Sequence, residues 1–207
     1  MYRLYDFLPS GNGYKVRLLL TQLGIPFERV EMDILKGQTR TPEFLEKNPN
    51  GRIPVLEVEP GVYLSESNAI LIYLSQGTEF LPTDRLEQAR VMQWLFFEQY
   101  SHEPYIATSR FWLSHDTADQ YRKELQQKVE PGYAALGVME NRLSRHPFLV
   151  GDRYSIADIA LYAYTHVADE GGFNLDKFPG IREWIERVQA QPRHIPITTY
   201  QFNPLPV

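Results

Sequence analysis

The stretch LPSGNGYKVRLLL, residues 8–20, places two polar side chains between a strand-like segment and a helix-like one. Ser10 carries a hydroxyl, Asn12 carries a carboxamide, and a glycine follows each of them. Such a turn could hold a phosphate, present a catalytic hydrogen-bond donor, or only turn the chain. The phosphate hypothesis fails, because SGNGYK lacks the spacing of both GxxxxGK[ST] and GxGxxG. Ser10 also lacks the nucleophile-elbow context of a Ser-His-Asp hydrolase.

A second stretch, NPNGRIPVLE, opens a predicted strand with Ile53-Pro54. A cis peptide at this bond would expose the backbone of Ile53 to a ligand. The alternative is a proline tolerated at an edge or at the first position of a strand. The dipeptide alone leaves both interpretations open.

A third stretch, LSESN at residues 64–68, comes just before a predicted helix. The N–H groups at a helix N-terminus suit a carboxylate, and Glu66 and Ser67 add an acid for an ammonium and a hydroxyl for the carboxylate. A zwitterionic amino-acid group would satisfy both. The alternative is ordinary capping, with Ser65 as the N-cap.

The elements that position these residues alternate along the first part of the chain. Strand patterns at residues 2–7, 27–33, 54–58 and 62–64 are separated by helical patterns after the SGNG turn, from Thr41 and from Glu66. The order β-α-β-α-β-β-α predicts a small mixed sheet with helices on both faces. Beyond a Gly- and Pro-rich stretch near residue 77, only helical patterns occur, at 85–114, 118–144, 155–168 and 179–190.

Composition limits the function classes. The 207 residues carry a net charge of −5 and no polybasic block, which argues against nucleic acid and a membrane surface as partners. There is no cysteine, so disulfides, thiolate metal sites and cysteine redox chemistry are excluded. The histidines lack metal-ligand spacing, so we expect no metal, and we interpret His102 as a packed, hydrogen-bonded residue. With no secretory leader or membrane-spanning run, we expect a cytoplasmic protein.

The order of strand, Ser10/Asn12 turn, helix, NPNGRIPVL, SESNAILIYL and helical domain resembles the cytosolic glutathione transferase family across essentially the whole chain. GDRYSIADIALY is a further mark of that family, and its Ser155 and Asp158 are spaced as a helix capping box. The resemblance implies an α+β protein. A thioredoxin-like N-terminal domain (βαβαββα) would span residues 1–77, a linker 78–86, and an all-α C-terminal domain 87–207.

The resemblance also implies glutathione as cosubstrate and a set of residues that bind it. The hydroxyl of Ser10 would face the sulfur, and Asn12 could donate an amide N–H to the same atom. The remaining groups are Ile53 before a cis Pro54 for the cysteinyl backbone, Glu66 and Ser67 for the γ-glutamyl group, and Gln38 and Arg52 for the glycyl carboxylate.

In the second domain, Tyr100, Tyr105, Arg110 and Phe111 could line a pocket for an apolar electrophile. The alternative is a stripe of core residues, which we prefer for Phe96, Phe97 and Trp112. The resemblance further implies a homodimer and a role in detoxification.

Three functions stay open at the level of sequence. The first is conjugation of the glutathione thiolate to hydrophobic electrophiles. The second is reduction of a disulfide or peroxide, because Ser10-x-Asn12 resembles the hydroxyl-x-asparagine spacing of a bacterial subgroup, the nu-like class. The third is a non-catalytic, transferase-like interaction module.

Overall fold

The computed structural model describes residues 1–115 and 117–199. Clustering of these residues gives two compact units, one formed by residues 1–76 with the segment from Pro192, the other by residues 77–191. The first unit contains β1 (Tyr2–Asp6), α1 (Gly11–Leu23), β2 (Phe27–Glu31), a 3₁₀ turn (Gln38–Arg40), α2 (Pro42–Leu45), β3 (Val55–Glu59), β4 (Val62–Ser65) and α3 (Ser67–Ser75). This order confirms the predicted β-α-β-α-β-β-α sequence of elements.

The strands of the first unit form one mixed sheet in the order β2-β1-β3-β4. β1 pairs in parallel with β2, and antiparallel with β3. β3 pairs antiparallel with β4, with an irregularity between Glu57 and Glu59. The thioredoxin-like arrangement expected from the sequence is therefore present.

Both faces of this sheet are covered, as predicted. Successive side chains of a strand point to opposite faces. On one face of β1, Tyr5 packs in a cluster with Val55 and with Phe44 of α2. On the other face, Leu4 and Asp6 are fully buried, and Gly13 of α1 lies directly over Asp6.

Helix α1 begins directly after the Ser10 turn, as the sequence predicts. Ser10 is its N-cap, and Gly24 follows its last residue with φ 69, the left-handed conformation that glycine adopts at low cost. The helix is buried almost all round, from Gly13 to Gln22. A charged side chain within that range must therefore find its partners inside the protein.

The second unit is helical. It contains α4 (Arg85–Phe97), a π-helical turn (Glu98–His102), α5 (Glu103–Ser114), α6 (Arg122–Leu143), α7 (Ile156–Thr165), a 3₁₀ turn (Ala168–Gly171) and α8 (Pro179–Gln189). The pattern at 85–114 is thus two helices joined by the π turn, with Pro104 in the first turn of α5. Pro131 lies inside α6, which continues through it. No helix among residues 1–115 and 117–199 is long and apolar enough to cross a membrane.

The C-terminal segment departs from the predicted division of the chain. The predicted C-terminal domain comprised residues 87–207, whereas the segment from Pro192 belongs to the first unit. Its attachment is polar. Tyr14 donates to the carbonyl oxygen of Ile195 at 2.6 Å, and Arg17 donates to those of Ile197 at 3.0 Å and Thr199 at 3.1 Å. Side-chain patterning does not encode contacts made through backbone carbonyl groups, so the pattern gave no signal for them. Residues 200–207 lie outside the described part of the chain.

The predicted capping box at the start of α7 is confirmed and does more than cap one helix. The backbone N–H and the hydroxyl of Ser155 donate to the Asp158 carboxylate at 3.0 and 3.1 Å, and the Ser155 side chain accepts from the backbone of the first turn of α7. The buried carboxylate of Asp158 also accepts from the backbone N–H of Leu149 at 3.0 Å and from the indole N–H of Trp184 at 2.9 Å. Burial raises the pKa of Asp158 to about 6, although these donors oppose the shift.

Replacement of Asp158 tests how much this hydrogen-bond network contributes to the stability of the protein. Asp158→Ala leaves the buried N–H groups of Leu149 and Trp184 without their acceptor. We expect the free energy of unfolding to fall by about 2–4 kcal/mol, since each unsatisfied buried donor costs about 1–3 kcal/mol. Denaturant titration measures this, with exposed Asp152→Ala as the control. A loss no larger than that of the control would contradict the assignment.

Candidate active site

The first feature of the site is the turn that carries Ser10. The N–H of Gly13 donates to the Ser10 Oγ at 3.4 Å, which makes Ser10 the N-cap of α1. A serine hydroxyl accepts through its oxygen and donates through its own proton. Capping therefore uses the oxygen and leaves the hydroxyl proton able to point to a ligand. The predicted role of Ser10 as a donor is compatible with its structural role.

The second feature is a buried cluster that joins Asn12 to Ser67, 55 residues further along the chain. The Ser67 hydroxyl donates to the Asn12 Oδ1 at 3.1 Å. The ammonium of Lys15 donates to the same Oδ1 at 2.7 Å and to the Ser67 Oγ at 3.4 Å. The turn after β1 and the first residue of α3 are thereby held together. The structure thus brings two of the predicted site residues into direct contact.

The start of α3 differs from the capping alternative considered for it. Ser65 is the last residue of β4 and is not the N-cap. The N-cap is Glu66, which makes no side-chain capping bond and has φ 67 and ψ 111. A residue with a side chain held at positive φ costs about 1–3 kcal/mol, and such residues cluster at functional sites. Glu66 is exposed, and Ser67 beside it is buried.

The remaining residues of the predicted glutathione site lie on the loops of the first unit. The Ile53–Pro54 peptide is cis, Pro54 is buried, and Ile53 packs against the Tyr5 cluster. Gln38 is exposed, and its side-chain oxygen accepts from the backbone N–H of Asp33 at 2.7 Å. Arg52 is also exposed, and its carbonyl oxygen accepts from Asn48 at 2.8 Å.

A buried ion pair between Asp6 and Arg17 lies next to the Ser10 turn and stabilises it. The Arg17 Nε lies 2.9 Å from the Asp6 Oδ2, with both side chains almost fully buried. The same guanidinium donates to the carbonyl oxygen of Leu8 at 2.7 Å, two residues before Ser10. Asp6 is the last residue of β1, so this one pair connects the strand, the turn and the helix.

The ion pair also explains the second glycine of the SGNG turn. A Cβ at Gly13 would lie 1.5 Å from the Asp6 Oδ1, so any side chain at this position would displace the Asp6 carboxylate. Burial raises the pKa of Asp6 to about 6, against the opposing charges of Arg17 and Arg29. Burial likewise lowers the pKa of Arg17, with the charge of Asp6 acting in the opposite direction.

The predicted electrophile-pocket residues occupy the π turn and α5 of the second unit. Tyr100 is 83% exposed and Phe111 39% exposed. Arg110 forms an ion pair with Glu170 at 2.6 Å. The ring of Tyr105 lies 5.7 Å from the Lys128 ammonium, which is a cation–π distance. Their grouping into one pocket stays a prediction.

His102 has the packed role that we inferred for it. It is fully buried in the π turn, and its Nε2 lies 2.9 Å from the Thr165 Oγ1. Within the described ranges no group of three His, Cys, Asp or Glu side chains is arranged to hold a metal ion.

Sequence reasoning missed three buried charged residues of the first unit, Asp6, Lys15 and Arg17. A signal for Lys15 existed, because it follows Asn12 by three positions and therefore shares its helix face. A signal for Asp6 existed too, because it alternates with the inward-facing Leu4. For Arg17, whose partners include the C-terminal segment, local pattern carries no such signal.

Two family descriptions match this chain. "Glutathione S-transferase, N-terminal domain" matches residues 1–76, and "Glutathione S-transferase, C-terminal domain" matches residues 90–192. The chain belongs to the glutathione S-transferase family.

Three known proteins resemble the chain over almost its whole length. A crystal structure of a glutathione S-transferase from Pseudomonas fluorescens Pf-5 is 56% identical, with a TM-score of 0.93, and the match covers 96% of this chain and 99% of that one. A structure of Ure2p in complex with glutathione is 26% identical, with a TM-score of 0.82 and coverage of 93% and 90%. The disulfide-bond oxidoreductase YfcG of Escherichia coli strain K12 is 30% identical, and the match covers 93% of this chain and 92% of that protein.

The buried ion pair of this glutathione S-transferase predicts a pH dependence of stability. The pKa of Asp6 rises on folding from 3.8 to about 6, so its carboxyl binds a proton more tightly in the folded state. The resulting stability is complete below about pH 4 and is lost as the pH rises towards about 6. In the Asp6→Asn variant this titration is absent.

We therefore expect the free energy of unfolding of the wild type, minus that of Asp6→Asn, to decrease by up to about 3 kcal/mol over this pH range. Denaturant titrations at a series of pH values measure the difference. Asp119→Asn, on a carboxylate 92% exposed, controls for the loss of one surface charge. If this difference instead increased with pH, the charge of Arg17 would have a larger effect on the pKa of Asp6 than burial has.

Proposed function

We propose that this protein binds glutathione and uses its thiolate to attack hydrophobic electrophiles. The observation that carries the proposal is the contact of Asn12 with Ser67, which joins the turn expected to face the sulfur to the residue expected to bind the γ-glutamyl group. Membership of the glutathione S-transferase family supports the same conclusion.

The chemistry requires the thiolate, because a thiol is a weak nucleophile. A free thiol of pKa about 8.5 is only a few per cent ionised at neutral pH. Lowering that pKa by about 2 units takes about 2.7 kcal/mol of preferential stabilisation of the anion. Hydrogen bonds from Ser10 and Asn12 at the N-terminus of α1, where the helix dipole is positive, supply energy of that order.

In the proposed reaction the thiol proton leaves to solvent, and Ser10 and Asn12 donate to the sulfur anion. The sulfur then forms a bond to an electrophilic carbon, and the leaving group departs with its electron pair. We propose that Ile53, Pro54, Glu66, Ser67, Gln38 and Arg52 hold glutathione during this step. For the electrophile we propose contacts with Tyr100, Tyr105, Arg110 and Phe111.

A second function is favoured by one observation, the similarity to the E. coli disulfide-bond oxidoreductase, together with the Ser10-x-Asn12 spacing. Here the thiolate attacks a disulfide sulfur, forms a mixed disulfide and releases one thiol. A second glutathione resolves the mixed disulfide, so two glutathiones are oxidised to glutathione disulfide while the substrate disulfide is reduced to two thiols. A peroxide would be reduced to an alcohol and water in the same two-electron balance.

Substitutions at the turn test the proposal against the alternative of a non-catalytic interaction module. We expect the wild type to be retained on immobilised glutathione and to react with an aromatic halide or a small disulfide. Ser10→Ala and Asn12→Ala should each lower kcat/KM more than about tenfold, or about 1.4 kcal/mol of transition-state stabilisation, while binding of glutathione is largely kept.

Because Ser10 is also an N-cap, further variants separate its two roles. Ser10→Asp keeps a capping acceptor, has no proton to donate and adds a negative charge that repels the thiolate, so we expect it to be at least as impaired as Ser10→Ala. Asp84→Ala removes the N-cap of α4 and serves as the matched control, which should stay active. Failure of the wild type to bind glutathione would contradict the whole proposal, and loss of less than tenfold in both alanine variants would remove these side chains from the mechanism.

We further propose a cytoplasmic homodimer with a detoxification role, as the family resemblance implies. Light scattering should give a mass of about twice the 24.1 kDa of one chain. A mass equal to that of a single chain would contradict the dimer without affecting the proposed chemistry.

A further inference from the structure

Lys15 is an unusual residue for its position. Its side chain is fully buried within α1, one turn after Ser10. A cation near the N-terminal end of a helix meets the positive end of the helix dipole, which disfavours it. Burial of an ammonium is also unfavourable unless it is well hydrogen-bonded. Both effects oppose the folding of α1. The positive end of the helix dipole and a cation both favour the binding of an anion.

The contacts of Lys15 determine the orientation of the Asn12 amide. An ammonium has only donors, so the atom of Asn12 that lies 2.7 Å from it must be the oxygen. The Ser67 hydroxyl lies 3.1 Å from the same oxygen. With its oxygen directed to Lys15 and Ser67, the amide must direct its NH₂ group away from both of them. Asn12 is thereby presented as a donor and not as an acceptor.

We propose that Lys15 is a positioning residue, which fixes Asn12 so that its amide N–H donates to the glutathione sulfur. This inference rests on the proposed function of the site. Chains of hydrogen bonds polarise one another, so the ammonium on the amide oxygen also strengthens the N–H as a donor to an anion. With the amide reversed, the oxygen would face the sulfur and repel the thiolate.

The proposal predicts a specific change in the bound glutathione. In Lys15→Met, a substitution of similar length without charge, we expect the pKa of the bound thiol to rise by about one unit. Because the thiolate fraction at neutral pH then falls from about three-quarters to about one-quarter, kcat/KM at that pH should fall about threefold. Ultraviolet absorbance of the thiolate, titrated with pH in the complex, measures the pKa. The affinity for S-methylglutathione, which has no thiol to ionise, should change less than about twofold. A tenfold change would correspond to about 1.4 kcal/mol of binding free energy.

A double-mutant cycle distinguishes action through Asn12 from direct contact with the ligand. If Lys15 acts through Asn12, Lys15→Met in the Asn12→Ala background should have little further effect on the thiol pKa. Additive effects would overturn the proposal. So would weaker binding of S-methylglutathione with an unchanged thiol pKa, because that result would make Lys15 a ligand of the glutathione carboxylate.

Controls separate this proposal from stability and from the proposed function. Lys123→Met, on an exposed lysine of α6, should alter neither measurement. Should Lys15→Met fail to fold, Lys15→Leu also removes both the charge and the donor to the Asn12 oxygen, and an unchanged thiol pKa in that variant would overturn the proposal. Absence of glutathione binding by the wild type would overturn the proposed function itself, whereas normal wild-type binding with no pKa change in Lys15→Met would overturn only the role of Lys15.

Discussion

The buried pair of Asp6 and Arg17 is the constraint on which the first unit depends. One guanidinium forms an ion pair with Asp6, the last residue of β1, and donates to the carbonyl groups of Leu8, Ile197 and Thr199. A buried charge must be both paired and hydrogen-bonded, and Arg17 meets that requirement only when strand, turn, helix and C-terminal segment are all in place. The geometry of the Ser10 turn is therefore fixed from the interior of the unit, by side chains that are almost fully buried.

This arrangement explains how a chain with no cysteine can carry thiol chemistry. The nucleophile belongs to the cosubstrate, so the protein needs to supply only an environment that favours an anion. The N-terminal end of α1, the hydroxyl of Ser10 and the amide of Asn12 are all donors. Lys15 and Ser67 then fix which end of the amide is presented. Each group has a structural partner that determines its orientation, which is the preorganisation that stabilisation of a developing or full negative charge requires.

Much of the fold could be predicted from the sequence, because the sequence patterns that indicate it are local. Strand alternation, the start of α1 after the SGNG turn, and the capping box at Ser155 each depend on neighbours within a few positions. The capping alternative with Ser65 is not adopted, because the N-cap is Glu66, which takes a positive φ that no sequence pattern indicates. Arg17 was missed for a related reason. Its partners include the carbonyl groups of Ile197 and Thr199, far along the chain, and hydrophobic periodicity contains no information about them.

The most direct test of the account is a crystal structure of the protein with glutathione. The account predicts that the sulfur lies within hydrogen-bonding distance of both the Ser10 Oγ and the Asn12 Nδ2, with the Asn12 Oδ1 still directed to Lys15 and Ser67. A sulfur bonded to neither side chain, or one that faces the Asn12 oxygen, would contradict it.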